Sequence, residues 1–211
     1  MYLMQENFKG ECNTMTRALI IVDVQNSFVS GTLAVPGAER VTDAIHNLLA
    51  THFEKLEAAA VRNYDLVITT QDWHVDPGDH WSDNPDYVDS WPVHCEAQTW
   101  GAELHEAITD ALEFVTAPKV NVRKGEFVAA YSGFEGKTNR NQTLESVLTD
   151  YGVDEVDICG LATDHCVMAT AFDAIEAGFK VNVLTQLSAG ITDESVAEAL
   201  NGMRNAGCHI I

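Results

Sequence analysis

Apolar residues along this chain fall into short unbroken runs, separated by stretches with helical spacing. Ala18-Leu-Ile-Ile-Val-Asp-Val24 is apolar at every position but one. That is the pattern of a strand buried on both faces of a parallel sheet. Leu66 to Thr70 and Val156 to Leu161 repeat it, Val181 to Leu184 reads as another strand, and Cys208 to Ile211 as a closing one. Between the first two runs, Val41, Ala44, Ile45, Leu48, Leu49 and Phe53 recur three and four apart, which predicts a helix from about Ala38 to Val61. Further helices are expected over Leu144 to Tyr151, from a Thr163 cap to Ala177 with Gly178 just beyond, and over Asp193 to Asn205 with Gly207 beyond. Short strands are expected at Phe114 to Ala117 and at Lys119 to Val122. Strands alternating with helices predict an α/β fold, a three-layer sandwich with a mostly parallel central sheet.

Two stretches break this rhythm. Asp72 to Gly101 is rich in Asp, Pro, Trp and His and follows neither period, and a loop of that length inside a compact domain is usually functional. Residues 1–15 read as a loosely ordered leader, with 16–211 as a single domain. The leader lacks the basic start and apolar run of a signal peptide, and no apolar run approaches the length of a membrane span.

Composition narrows the function. The 211 residues suffice for one sizeable core, and 12 basic against 32 acidic residues leave a formal charge of −20. A polyanion repels phosphate backbones and anionic lipid heads, so nucleic acid and membrane surfaces are excluded as partners. A neutral small molecule is unaffected. The oligomeric state stays open, a homo-oligomer included. Five cysteines without framework spacing point to reduced thiols and a cytoplasmic location. Gly160 and Gly178 do not form a dinucleotide fingerprint, so a nucleotide cofactor is not expected.

In parallel sheets, ligands bind at the carboxyl ends of the strands, and three reactive residues fall there. Asp23 interrupts the first apolar run, where a buried carboxylate needs a partner. Cys166 follows a strand and, with Thr163 as cap, sits at the third position of a helix, where the dipole and free N–H groups favour a thiolate or hold an oxyanion. Lys124, before Gly125, would depress the thiol pKa if brought near it. In the long loop, Asp72, His74, His80 and His94 offer one carboxylate and three imidazoles, a set suited to Zn²⁺, Fe²⁺ or Mn²⁺, with Cys95 a weaker rival ligand.

These segments resemble nicotinamidases, also called pyrazinamidases, of the isochorismatase-like cysteine hydrolases. The resemblance is carried by Ala18 to Phe28, Asp72-Trp-His-Val-Asp-Pro-Gly-Asp-His80, Trp91-Pro-Val-His94, Arg123-Lys-Gly125, Ala130 to Gly136 and Gly160-Leu-Ala-Thr-Asp-His-Cys-Val167. Ser27 stands where many relatives carry Asp, outside the reactive set. The resemblance implies a catalytic triad of Asp23, Lys124 and Cys166, and a divalent metal ion, Zn²⁺ first among candidates, on Asp72, His74, His80 and His94. It also implies an oxyanion hole from the backbone N–H groups of Ala162 and Cys166, with a cis peptide before Ala162. Phe28, Trp91 and Tyr131 match positions lining the substrate pocket. The implied activity is deamidation of nicotinamide to nicotinic acid and ammonia in NAD salvage, through a cysteine thioester, with pyrazinamide as an alternative substrate. The residues alone leave one rival chemistry open, in which metal-activated water rather than sulfur attacks.

Overall fold

The computed structural model describes residues 15–54 and 64–211, side chains at 51–54 excepted. The expected leader therefore lies outside the described residues, apart from Met15, and so does the far end of the first long helix. Among the described residues six strands form the sheet: β1 (Arg17–Val22), β2 (Leu66–Asp72), β3 (Lys119–Lys124), β4 (Glu155–Leu161), β5 (Lys180–Ala189) and β6 (His209–Ile210). Six α-helices accompany them among the described residues: α1 (Asn26–Val29), α2 (Ala38–Glu54), α3 (Glu106–Phe114), α4 (Leu144–Asp150), α5 (Met168–Glu176) and α6 (Asp193–Asn205).

The strand order is β3-β2-β1-β4-β5-β6, and every pairing is parallel. Because side chains alternate along a strand, β1 feeds two cores at once. Ala18, Ile20 and Val22 pack with Leu144 and Leu148 of α4, Ala171 of α5 and Met203 of α6. Leu19 and Ile21 face the opposite way, onto Val41, Ile45 and Leu49 of α2 and Ile108 of α3. This is the three-layer sandwich expected, with the sheet wholly parallel. The order reverses between β1 and β4, and a doubly wound sheet opens its ligand crevice at such a switch point. Gly160 keeps β1 and β4 close there: its φ is +117°, and a Cβ would lie 2.1 Å from the Val22 carbonyl oxygen.

Two expectations are corrected. Phe114 to Ala117 is not a strand: Phe114 ends α3, a helix capped at its start by His105, whose Nδ1 accepts from the Ala107 amide at 3.2 Å. The β-branched residues after Phe114 favour a strand locally, but pairing with β2 begins only at Lys119. Lys119 Nζ instead donates to the Leu112 and Val115 carbonyls at 2.9 and 3.1 Å, closing the end of α3. Nor does Thr163 cap a helix. Residues Thr163–Val167 form a wide turn in which the Val167 amide donates to the Ala162 carbonyl, five residues back, at 3.1 Å. The regular helix starts at Met168 and ends as expected, with Gly178 at φ +90°.

Near the amino-terminal end of the sheet, a buried polar cluster joins three strands. Asp157 accepts from Arg17 Nε at 3.0 Å, from Asn182 at 2.8 Å and from the Tyr64 hydroxyl at 2.6 Å. Removing one partner of a buried ion pair strands the other. Asp157→Ala is therefore expected to cost about 3–5 kcal/mol of stability, read by urea unfolding, with turnover at the distant pocket unchanged.

Candidate active site

The carboxyl edge of the sheet gathers the reactive side chains. Asp23 follows β1 with a left-handed backbone, φ +49°. Lys124 is the last residue of β3, and Cys166 lies in the wide turn after β4. All three are buried, at 0%, 2% and 6% exposure. Lys124 Nζ donates to Asp72 Oδ1 in a short bond, to the Ala130 carbonyl at 3.0 Å and to Cys166 Sγ at 3.6 Å. Asp23 Oδ2 pairs with the same ammonium at 2.9 Å and also faces the Cys166 thiol. The other oxygen, Oδ1, accepts from Thr70 Oγ1 at 2.6 Å. Thr70 is a partner that sequence reasoning missed, signalled only by a hydroxyl inside a buried strand.

Burial dominates the electrostatics. It pushes the Cys166 thiol well above its ordinary value; Lys124 pulls it down, and Asp23 and Asp72 push it up again. The depressed thiol expected from helix position is thus opposed by burial, and the net direction is upward. Burial also raises Asp23, against the pull of Lys124. Lys124 is disfavoured by burial, but Asp23 and Asp72 hold it firmly charged. Asp72 behaves differently: burial would raise it, yet Lys124 and the His74 and His94 rings hold it below the usual carboxylate range.

Beside the sulfur stands the imidazole cluster. His74, His80 and His94 each present a ring nitrogen within 4.8 Å of the others. Asp72 Oδ2 lies 3.7 Å from His74 Nε2 and 4.0 Å from His94 Nε2. The Nδ1 atoms of His74 and His94 bond the Gly125 and Pro92 carbonyls at 2.5 and 2.7 Å, which turns both Nε2 lone pairs inward. His74 Nε2 and His80 Nδ1 are buried without any hydrogen-bond partner. Burial holds His80 below its ordinary value and pushes His94 down to about 4. Orphaned imidazole nitrogens beside an ionised carboxylate fit a divalent metal. Gly125 permits the arrangement, since a Cβ there would lie 2.5 Å from His74 Cε1. Cys95 belongs to neither metal-capable group among the described residues. It is buried, and its amide is bonded to Ser27 Oγ at 3.0 Å.

A narrow pocket opens onto the sulfur. Phe28, Trp91 and Tyr131 line it together with Asp72, His80, His94, Ala162 and Cys166. Trp91 Nε1 donates to the Tyr131 hydroxyl at 3.0 Å, fixing two of the aromatic walls. Leu33, Val35, His165 and Ile191 complete it and were not anticipated from sequence. The peptide between Leu161 and Ala162 is cis. The Ala162 carbonyl accepts from the amides of His165 and Val167 and passes over Cys166 between them. A roomier groove along the outer edge of β3 holds neither Cys166 nor a histidine.

Fold and site together define a hydrolase of parallel-sheet α/β architecture, with a buried thiol, ammonium and carboxylate at the switch point of its sheet. The isochorismatase domain matches residues 17–211, and the chain belongs to that family. It is 45% identical over 197 residues to the nicotinamidase/pyrazinamidase of Mycobacterium tuberculosis, covering 92% of this chain and 98% of the relative. Among solved structures, PnC1 from L. infantum in complex with nicotinate superposes with a TM-score of 0.75 at 28% identity, over 93% of this chain and 92% of that one. The pyrazinamidase of Pyrococcus horikoshii in complex with zinc does so with a TM-score of 0.69 at 33% identity, over 92% and 98%.

Proposed function

We propose that this protein hydrolyses nicotinamide to nicotinic acid and ammonia in NAD salvage, with pyrazinamide as an alternative substrate. The observation that carries the reading is an aromatic-lined pocket walled by Cys166, His80 and His94, with Lys124 Nζ 3.6 Å from Cys166 Sγ and Asp23 behind it. That pairing suits an amide attached to a ring with a ligating nitrogen. A divalent ion on Asp72, His74, His80 and His94, Zn²⁺ before Fe²⁺ or Mn²⁺, would supply a Lewis acid for the pyridine nitrogen. Phe28, Trp91 and Tyr131 enclose the ring and exclude water.

The remaining chemistry belongs to the chain. Asp23 Oδ2 takes the thiol proton as Sγ attacks the carboxamide carbon. The backbone N–H groups of Ala162 and Cys166 hold the oxyanion that forms. Lys124 stays charged throughout and balances the carboxylates. Asp23 returns its proton to the nitrogen as the C–N bond breaks and ammonia leaves. Water then loses a proton to Asp23 and attacks the thioester, and the thiol is restored as nicotinate departs. The four described cysteines are free thiols, which supports a reducing compartment such as the cytoplasm.

The direct test is ammonia release from nicotinamide by purified, metal-supplemented protein, with pyrazinamide in parallel. Steady release from nicotinamide is expected; no release under any metal supplement overturns the reading.

A further inference from the structure

Asp164 takes no part in the chemistry above, yet it is a buried carboxylate two residues from the nucleophile, at 7% exposure. Burying such a group is costly unless it holds something. Both its oxygens lie 3.2 Å from the Ile191 amide, which donates to them. The Ser195 hydroxyl donates to Oδ2 in a short bond. Ser195 belongs to the first turn of α6, where its amide also donates to Thr192 Oγ1 at 3.0 Å in a reciprocal cap. One carboxylate thus ties together the Cys166 turn, the Gly190–Ile191 segment leaving β5, and the start of α6. Gly190 shows how closely these pieces meet: a Cβ there would lie 2.7 Å from Asp164 Oδ1 and 2.4 Å from Val196 Cγ2. Burial would raise Asp164, but the His165 ring 3.3 Å away and the Ser195 hydroxyl hold it below its ordinary value.

The wide turn explains the need for such a tie. One carbonyl, Ala162, serves both His165 and Val167, so local backbone bonding holds Cys166 loosely compared with a regular helix. Ile191 and Cys166 are walls of the same pocket. We propose that Asp164 is a positioning residue that clamps the Cys166 turn to the Gly190–Ile191 wall. The clamp aims Sγ at the substrate carbonyl while Asp23 and Lys124 stay in reach.

The turnover arm of the test rests on the nicotinamide reading; a second arm does not. Asp164→Ala is expected to lower kcat about 10²-fold, the usual cost of a misplaced nucleophile, with a smaller change in KM. Asp164→Asn keeps an acceptor for the Ile191 amide and a donor for Ser195 Oγ, and is expected to recover most of that loss. Ser195→Ala removes one anchor and should lower kcat partway. Thr192→Ala removes the cap on the Ser195 amide but leaves the Ser195 hydroxyl on Asp164, and should lower Tm with a smaller loss of kcat than Ser195→Ala. In the second arm, iodoacetamide labelling of Cys166, followed by mass spectrometry, should slow in Asp164→Ala. A folded Asp164→Ala protein with wild-type kcat and wild-type or faster labelling overturns the clamp. If Asp164→Ala does not fold, Ser195→Ala decides: a kcat no lower than that of Thr192→Ala also overturns it. Should wild-type protein release no ammonia from nicotinamide, the functional reading fails and labelling alone judges the clamp.

Discussion

Replacing Cys166 by alanine is expected to reduce ammonia release from nicotinamide by about 10⁴-fold or more, the scale on which removal of a covalent nucleophile acts. Substrate affinity should survive. The ring is enclosed by Phe28, Trp91 and Tyr131, and the replacement leaves those walls and the imidazole cluster in place. Cys166→Ser should also be inactive. A hydroxyl is much harder to deprotonate than a thiol, and the carboxylates beside that atom, Asp23 and Asp72, are weak bases for it. Acid quenching of the wild-type reaction during the first turnover should trap a nicotinoyl adduct on Cys166, seen as a mass increase on its peptide. Near-normal turnover by Cys166→Ala would refute covalent catalysis and favour direct attack by water. Lost binding together with lost turnover would instead mean that the sulfur shapes the pocket.

What could be read from the sequence follows from how local each signal is. The two-faced core of β1 was legible because burial on both sides demands an unbroken apolar run, and Asp23 stood out as its one exception. The imidazole cluster was legible because its members fall close together, between positions 74 and 94, in a stretch with no structural period. The helix α3 was missed: it is nine residues long and buries only Ile108 and Ala111, too little for a clear stripe beside the β-branched run that follows. The wide turn at Cys166 was missed for a different reason. Thr163 has the chemistry of a cap, but the bond that defines the turn runs between backbone atoms of Ala162 and Val167, which no side chain announces. The direction of the thiol shift could not be read at all. Proximity to Lys124 favours a thiolate and complete burial opposes it, and only the packed structure shows that burial wins. Leu33, Val35 and Ile191 reach the pocket from loops whose placement depends on the whole sheet.

Stripping divalent ions from the protein is expected to lower nicotinamide turnover by about 10²–10³-fold, the equivalent of several kcal/mol of Lewis-acid assistance. Zn²⁺, Fe²⁺ or Mn²⁺ added back should restore it to different extents, and elemental analysis should find about one ion per chain in the active protein. The argument starts from the rings. His74 Nε2 and His80 Nδ1 are buried without partners, and polar atoms in that state are destabilising unless something occupies them. Metal binding should therefore raise Tm as well as activity, a readout independent of turnover. His74→Ala should lose the ion and the Tm increment together, and no metal supplement should rescue its activity. Benzamide, which keeps the carboxamide but lacks the ring nitrogen, separates the two roles of the site. It should be a poor substrate with or without the ion, because Cys166, Asp23 and Lys124 would still act on a carbonyl that nothing holds in register. Full activity in protein shown to be free of metal would overturn the assignment. A large chelation effect on benzamide as well would mean that the ion supports the fold of the pocket instead of orienting the ring.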